Sequence, residues 1–218
     1  MILKDSPQTR EAAAQAIARG GVVAFLTDTF YGLGANPFDQ KAVRRINALK
    51  GREGGKPILI VLSDEGEADR FVLNRSELFE AASHHHWPGA LTLVARALAS
   101  VPEEITAGSG TVGLRLPLDR DVRDLIRSCG GALTATSANT AGAAPARTAL
   151  MVEHYFPAEL DTIIDSGAAR SDQPSTVLDV TGARARLIRE GAVSRRELEE
   201  SLKAAGFDLE EKGSREAS

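Results

Sequence analysis

Short apolar runs alternate along this chain with segments that begin at helix-capping residues. The apolar runs are VVAFLT, PILIVL, ALTLVAR, TVGLRL, ALTATS, TIID, STVLDV and ARLIRE. Each has the length of a buried strand and is too short for a buried helix. Ser6 followed by Pro7 predicts the first helix, and Asp39, Asp119 and Ser194 predict later helix starts. The alternation predicts an α/β fold.

The order of these elements favours one domain with a mixed sheet and flanking helices. Towards the end of the chain, three strands follow one another without helices between them, which does not suit a purely parallel sheet. The 218 residues, 43% of them hydrophobic, can build a proper core, and no internal repeat or linker divides them. We expect a domain over residues 1–206 and a flexible tail over residues 207–218.

Composition narrows the class of protein. No apolar run approaches the roughly 20 residues that a membrane-spanning helix needs. The N-terminus lacks the basic and apolar segments of a signal peptide. A single cysteine, Cys129, excludes an internal disulfide and fits a reducing compartment. These features predict a cytoplasmic protein without membrane partners.

Positive charge is concentrated in two runs, although the net charge of −4 argues against a wholly basic nucleic-acid binder. Between residues 41 and 56, six lysines and arginines stand against one acidic residue, Glu53. A second run, residues 184–196, holds five arginines. One interpretation is two solvated faces. The other is an anionic ligand held in one pocket.

Two nucleotide-binding motifs are present only in part. GSGTVG, residues 108–113, has the spacing of a dinucleotide fingerprint, but it precedes a predicted strand instead of opening a helix. GREGGKP is one residue short of a Walker A loop and places Pro57 where Ser or Thr would meet magnesium. A nucleotide would therefore bind through another architecture.

Metal binding and nucleophilic catalysis are also weakly supported. The histidines at 84–86 are consecutive, and neighbours on a helix point about 100° apart, so they do not converge on one metal ion. Ser137 lacks the flanking glycines of a nucleophile elbow. Cys129 is expected to be packed and unreactive. We predict neither a resident metal nor a protein nucleophile.

What remains is a set of polar groups at predicted strand and helix ends. They are Thr27 and Thr29, Lys50 and Arg52, Ser137 and Asn139, Ser175 and Thr176, and Arg189. Hydroxyls, amides and cations in such places can hold an anionic ligand by charge-assisted hydrogen bonds. Each group alone more often satisfies the backbone, so the prediction depends on the combination.

In their order along the chain, these segments resemble those of the Sua5/YciO/YrdC family from about Gly20 to Gly191. They are GGVVAFLTDTFYGLGANP, LKGREGGKPILIVLS, HWPGALTLVAR, GTVGLRLP, TATSANTAG, STVLDV and LIREGA. The paired patterns K-x-R, at Lys50 and Arg52, and S-x-N, at Ser137 and Asn139, are typical of that family's threonylcarbamoyl-adenylate synthases. The resemblance implies an open, twisted α/β sheet with a concave basic face.

The resemblance also implies an activity. Threonylcarbamoyl-AMP and pyrophosphate would be formed from L-threonine, bicarbonate and ATP, with Mg²⁺ carried by the nucleotide. The product would supply the t6A modification of tRNA through a downstream threonylcarbamoyl transferase machinery. Transfer RNA or double-stranded RNA is an implied partner of the basic face.

Residue by residue, the resemblance assigns a catalytic tetrad and two binding sets. The tetrad is Lys50, Arg52, Ser137 and Asn139. The threonine set is Thr29, Arg115 and Ser175. The ATP set is Arg52, Lys56, Thr111, Ser137, Pro145 and Arg189. We expect Lys50 and Arg52 on a polar loop outside the core, where they would hold the triphosphate.

Two residues depart from the family pattern, and the chain resembles the family's shorter type. Leu26 stands where proline usually precedes TDT, and Val61 stands where longer members often have histidine. Two other functions are alternatives. One is a non-catalytic, YciO-like module that binds double-stranded RNA or tRNA, which the complete tetrad disfavours. The other is the carbamoyl-adenylate chemistry of hydrogenase maturation factors, whose acylphosphatase and zinc-finger segments are not seen in this sequence.

Overall fold

The computed structural model describes residues 1–51 and 56–210. Its helices are α1 (Pro7–Ala18), α2 (Gln40–Leu49), α3 (Glu77–His86), α4 (Glu103–Thr106), α5 (Arg120–Ser128), α6 (Ala149–Tyr155) and α7 (Arg195–Ala204). Its strands are β1 (Ile2–Lys4), β2 (Val23–Leu26), β3 (Tyr31–Gly34), β4 (Ile60–Leu62), β5 (Leu91–Arg96), β6 (Thr111–Arg115), β7 (Ala132–Thr134), β8 (Thr136–Ser137), β9 (Thr162–Asp165), β10 (Thr176–Asp179) and β11 (Arg186–Arg189). Within the described ranges, none of the helices combines the length and apolar composition needed to cross a bilayer.

The strands divide into two mixed sheets, where the sequence predicted one. The five-stranded sheet has the order β1-β9-β2-β3-β8, and the six-stranded sheet has the order β11-β10-β5-β6-β4-β7. Both combine parallel and antiparallel neighbours; β2, for example, is parallel to β9 and antiparallel to β3. The α/β class, the mixed strand directions and the flanking helices are therefore confirmed, and the single sheet is corrected to two.

The segment 132–137 crosses from one sheet to the other. The sequence predicted one strand here, but β7 pairs with β4 in the six-stranded sheet and β8 pairs with β3 in the five-stranded sheet. The break falls at Ala135, whose N–H donates to Leu59 O at 2.7 Å. This crossing brings strand ends of both sheets together.

Local signals set the helix starts as predicted. The side chains of Ser6, Asp39 and Asp119 each accept backbone N–H bonds at the first turn of α1, α2 and α5. Ser194, at the predicted start of α7, forms a capping box with Glu197. These helices start where they do because the residues before the first turn satisfy otherwise unpaired N–H groups.

Sequence analysis missed β1, β3 and the short helix α4. β3 has the sequence YGLG, and two glycines in four residues weaken a strand signal. It forms nevertheless, because it pairs with β2 from Tyr31 to Gly34 and all four residues are buried. Residues Glu65–Arg70 form a 3₁₀ helix.

Residues beyond the predicted boundary at 206 contact the rest of the fold. Phe207 and Leu209 pack against the hydrophobic core, and Leu209 forms an isolated bridge with Ala185. Glu210 N also donates to Ala185 O at 2.8 Å. Residues 211–218, the rest of the predicted tail, lie outside the described residues.

Candidate active site

A cavity of about 310 Å³ lies where the two sheets meet. Its lining residues are Thr27, Thr29, Phe30, Tyr31, Gly32, Lys56, Pro57, Leu59, Val61, Arg115, Ala135, Thr136, Ser137, Pro145, Pro174, Ser175 and Arg189. Three of these residues are cations, Lys56, Arg115 and Arg189, and none is acidic. The cavity therefore suits an anionic ligand.

The turn between β2 and β3 forms one wall of the cavity. Thr27 N and Thr27 Oγ1 both donate to Phe30 O, at 3.1 and 2.8 Å. Thr29 Oγ1 lies 3.2 Å from Thr27 Oγ1, and both threonines are buried. Because the turn is closed by its own hydrogen bonds, it holds these hydroxyls in fixed positions.

Arg115, at the end of β6, is only 2% exposed and is the most enclosed of the described cations that line the cavity. Its Nη2 donates to Asp28 Oδ2 at 2.6 Å, and its Nε donates to Gly89 O at 2.9 Å. Its Nη1 lies 3.5 Å from Thr29 Oγ1. Burial lowers the pKa of Arg115 and the Asp28 carboxylate opposes that shift, but a guanidinium remains charged in proteins. One side of Arg115 is thus fixed, while Nη1 faces the hydroxyl of a cavity residue.

Asp28, which the sequence did not assign to the site, holds the cavity residue Arg115 in place. Besides Arg115, its carboxylate accepts the N–H groups of Leu118 and Asp119, at 2.9 and 3.0 Å. A buried arginine needs such a partner, because an uncompensated charge is costly away from water. The available signal was the position of Asp28 between the two threonines of TDT, directly after a buried strand.

Ser175 and Arg189 meet at a second wall. Ser175 Oγ lies 3.0 Å from Thr92 Oγ1 of β5, and Ser175 O accepts from Arg189 Nη2 at 2.8 Å. Burial lowers the pKa of Arg189, although the residue is partly open to solvent. Gly191 packs closely behind this wall. A Cβ added at this position would lie 2.2 Å from Pro174 O. Only glycine allows this approach of the two backbones.

The S-x-N pattern occupies the end of β8 and the loop that follows it. Ser137 Oγ donates to Asn139 Oδ1 at 2.6 Å. Asn139 Nδ2 donates to Thr140 O at 3.1 Å and to Ala143 O at 2.7 Å. Ser137 lines the cavity, and Asn139 holds the loop in shape.

Lys50 does not lie on the exposed polar loop that the sequence predicted. It follows α2 and is only 1% exposed, with Nζ donating to the carbonyl oxygens of Ser137 and Asn139. The predicted placement is wrong because these acceptors come from a loop distant in sequence, which covers the lysine. Arg52, the other cation of the K-x-R pattern, lies outside the described residues.

Most other described cations of the two basic runs are paired on the surface. The pairs are Arg44–Glu104, Arg45–Asp161, Arg186–Asp179, Arg195–Glu199 and Arg196–Glu200. Lys56 from the first run and Arg189 from the second line the cavity. The interpretation as solvated faces therefore fits the surface pairs, and the interpretation as an anion-binding pocket fits Lys56 and Arg189.

Two of the remaining motifs, at Cys129 and at residues 108–113, have the local structure that the sequence predicted. Burial raises the pKa of the Cys129 thiol to about 12, and Cys129 packs against a hydrophobic cluster. The residues 108–113 lead into the strand β6 and open no helix. Within the described ranges, no group of three or more His, Cys, Asp or Glu side chains is arranged to hold a metal ion.

Comparison with known proteins identifies the family. The family model Sua5_yciO_yrdC, described as telomere recombination, matches residues 15–191. The chain belongs to the Sua5/YciO/YrdC family.

Similar members of the family carry one name. A threonylcarbamoyl-AMP synthase of Thiobacillus denitrificans is 37% identical over 164 residues, which are 75% of this chain and 87% of that protein. One of Pyrococcus abyssi is 36% identical over 190 residues, 87% of this chain and 56% of that protein. The chain thus spans little more than half of the P. abyssi relative.

Solved structures show the same fold. The crystal structure of P. abyssi Sua5 complexed with L-threonine matches with a TM-score of 0.89 at 32% identity, over 96% of this chain and 62% of that one. The structure of E. coli YciO matches with a TM-score of 0.78 at 23% identity, which shows the fold alone.

The cavity unites most of the residues that the family resemblance implies. Those that line it are Thr29, Lys56, Arg115, Ser137, Pro145, Ser175 and Arg189. Lys50, Asn139 and Thr111 are not among the lining residues, and Thr111 Oγ1 instead lies 2.9 Å from Ser109 Oγ. Of the two departures from the family pattern, Val61 lines the cavity, whereas Leu26 ends β2 outside the lining set.

Proposed function

We propose that this chain forms L-threonylcarbamoyl-AMP and pyrophosphate from L-threonine, bicarbonate and ATP. The observation that carries the proposal is one cavity whose described lining residues combine a buried arginine and buried hydroxyls with two further cations and include no acidic residue. The name of the curated relatives and the L-threonine bound to P. abyssi Sua5 support it.

L-Threonine is the ligand that we assign to Arg115, Thr29 and Ser175. A planar guanidinium suits a carboxylate, because two parallel N–H bonds can meet its two oxygens. The nearby hydroxyls of Thr29 and Ser175 can exchange hydrogen bonds with the ammonium or hydroxyl of the amino acid. Enclosure by buried residues favours a small ligand at this part of the cavity.

ATP is the ligand that we assign to Lys56, Ser137, Pro145 and Arg189. In the proposed reaction, the amino group of threonine forms a bond to the carbon of bicarbonate, with loss of water, to give a carbamate. A carboxylate oxygen of this carbamate attacks the α-phosphorus. A new oxygen–phosphorus bond forms as the bond to pyrophosphate breaks, so positioning and charge neutralisation supply the catalysis. No protein nucleophile is required. Arg52 remains part of the proposed ATP set, outside the described residues.

Magnesium enters the proposal only as part of the nucleotide substrate. The described lining residues include no carboxylate, so they do not form a resident Mg²⁺ site, since Mg²⁺ prefers carboxylate and phosphate oxygens. We propose that the phosphates of ATP carry the ion.

Mass spectrometry of the reaction product tests the proposal. The purified chain, incubated with Mg-ATP, L-threonine and bicarbonate, should yield threonylcarbamoyl-AMP and pyrophosphate. Omission of threonine or bicarbonate should abolish the product. ATP binding without product under all conditions would favour the non-catalytic, RNA-binding alternative.

A role in tRNA modification follows from the same proposal. The product would supply t6A formation through a separate threonylcarbamoyl transferase, in the cytoplasm where a single-cysteine chain fits. Direct binding of tRNA has less support, because Arg44 and Arg45 of the basic run are paired with Glu104 and Asp161.

A further inference from the structure

Lys50 and Lys56 belong to the same basic run but occupy opposite environments. Lys56 is exposed and lines the cavity, whereas Lys50 is 1% exposed and is not among the lining residues. The two lysines therefore cannot serve a cavity ligand in the same way. Lys56 can meet it directly, and Lys50 is covered by other protein groups.

The described hydrogen-bond acceptors of Lys50 belong to the S-x-N segment. Lys50 Nζ donates to Ser137 O, to Asn139 O at 2.8 Å and to Asn139 Oδ1 at 3.2 Å. An ammonium group has donors for each of these described acceptors. Lys50 thus ties the end of α2 to the loop after β8.

The same contacts fix the orientation of the Asn139 amide. Its Nδ2 donates to two backbone carbonyls, those of Thr140 and Ala143. Its Oδ1 accepts from Lys50 Nζ and from Ser137 Oγ. The reversed amide would set an NH₂ group against the ammonium and an oxygen against two carbonyls, so this orientation alone satisfies all partners.

A consequence follows for the hydroxyl of Ser137. A serine has one hydroxyl proton, and that of Ser137 is donated to Asn139 Oδ1 at 2.6 Å. Only lone pairs of Ser137 Oγ then remain for a ligand in the cavity. Lone pairs repel phosphate oxygens and attract a hydroxyl or an ammonium group.

We propose that Lys50 is a positioning residue that fixes Ser137 as a hydrogen-bond acceptor for a donor group of the substrate, and that Lys50 does not itself bind phosphate. This inference rests on the proposed function, whose substrates supply the probes. Two sources carry the required donor: the ribose hydroxyls of ATP, and the ammonium or hydroxyl of L-threonine.

The first experiment compares Lys50→Met with Lys56→Met. The affinity for ATP is measured by calorimetry at several salt concentrations. Lys56→Met should flatten the salt dependence, because it removes an exposed cation near the triphosphate. Lys50→Met should weaken ligand binding but keep the wild-type dependence on salt. Equal flattening by both variants would make Lys50 a phosphate ligand and overturn the inference.

The second experiment uses Ser137→Ala, which removes only the hydroxyl and stays informative if Lys50→Met fails to fold. The probes are ATP, 2′-deoxy-ATP, 3′-deoxy-ATP, adenosine and L-threonine. If the donor is a ribose hydroxyl, Ser137→Ala should lower the affinity for ATP and adenosine about tenfold, the equivalent of one hydrogen bond. The affinity for the deoxy analogue that lacks this hydroxyl should not change. A threonine donor predicts the same loss for L-threonine alone.

Two results of this second experiment contradict the inference. A loss seen with ATP but not with adenosine would show that Ser137 donates to phosphate. A uniform loss for every probe would show a merely structural role. Where Lys50→Met folds, it should reproduce the ligand pattern of Ser137→Ala, and the double variant should lose less than the product of the two single losses.

Wild-type measurements separate this inference from the proposed function. A wild-type chain that binds neither ATP nor L-threonine overturns the proposed function and this inference together. Normal wild-type binding and product formation, with a salt dependence that Lys50→Met flattens, overturns the inference alone.

Discussion

Two groups of side chains share the wall of the cavity but differ in exposure. The buried group is Arg115, Ser175 and Thr29, at 2%, 4% and 7% exposed, and each contacts a neighbouring polar group. The exposed group is Lys56 and Arg189. A buried, hydrogen-bonded group is already ordered before the ligand arrives, whereas an exposed cation acts through a charge that salt screens.

The contrast matches the two proposed ligands. L-Threonine is small enough to be enclosed, and its selection depends on geometry. A nucleotide is larger and carries several charges, so exposed cations can attract it without enclosing it. Variants of the buried group should therefore change threonine affinity, and variants of the exposed group should change ATP affinity.

The largest expected effect comes from Arg115→Lys. Lysine keeps the charge but cannot contact Asp28, Gly89 and a carboxylate together, as the guanidinium can. The loss of a charge-assisted bond should weaken L-threonine binding about tenfold to a hundredfold. Separate titrations with L-threonine and with ATP measure the loss of affinity for each ligand. ATP affinity should change little.

Arg186→Lys is the matched control for this variant. Arg186 lies on β11 and pairs with Asp179, and it does not line the cavity. The variant Arg186→Lys should leave the affinities for L-threonine and for ATP unchanged. An equal loss of threonine and ATP affinity in Arg115→Lys would mean that Arg115 is structural and that the buried group does not select the amino acid.

A smaller and salt-dependent effect is expected from Lys56→Ala. Removal of one exposed cation should weaken ATP binding about tenfold at low salt and less at high salt. L-Threonine affinity should be retained. Lys41→Ala, an exposed lysine of α2 outside the cavity lining, is the control. An equal loss of ATP affinity in both variants would mean that the total positive charge of the protein matters, and not a direct contact between Lys56 and ATP.

The sequence predicted the features that depend on near neighbours. Helix starts at Ser6, Asp39 and Ser194 follow from side chains that bond two or three residues ahead, so they are visible locally. The cavity set could be proposed because its members stand in short segments that resemble a known family.

Features that depend on distant contacts were missed. Lys50 was expected outside the core, and its burial depends on acceptors at Ser137 and Asn139, 87 and 89 positions along the chain. Asp28 was left unassigned because its partner Arg115 is 87 positions away. The break at Ala135 likewise depends on strands β3 and β4, which a local pattern does not show.

A modest effect is expected from Thr92→Val, which tests the support of the buried group. The change keeps the shape but removes the hydroxyl 3.0 Å from Ser175 Oγ. Loss of that contact should lower the free energy of unfolding by about 1 kcal/mol and weaken the binding of L-threonine several-fold. Thermal unfolding and calorimetry measure both. Thr92→Ser keeps the hydroxyl and should restore threonine affinity; failure to do so would mean that packing, not the hydrogen bond, matters.

The smallest effect is expected at Cys129, a partly buried residue that is not among the lining residues of the cavity. Burial raises the pKa of its thiol from 9.0 to about 12, so the folded chain keeps it protonated and should react slowly with iodoacetamide at pH 8. Because the folded pKa is the higher one, the contribution to stability is complete below pH 9 and is lost as the pH rises towards 12. Cys129→Ala should remove this pH dependence and leave both ligand affinities unchanged. Rapid alkylation of the native chain would contradict the protection of the thiol by burial. A loss of threonine affinity in Cys129→Ala would show that a residue outside the cavity lining also shapes the site.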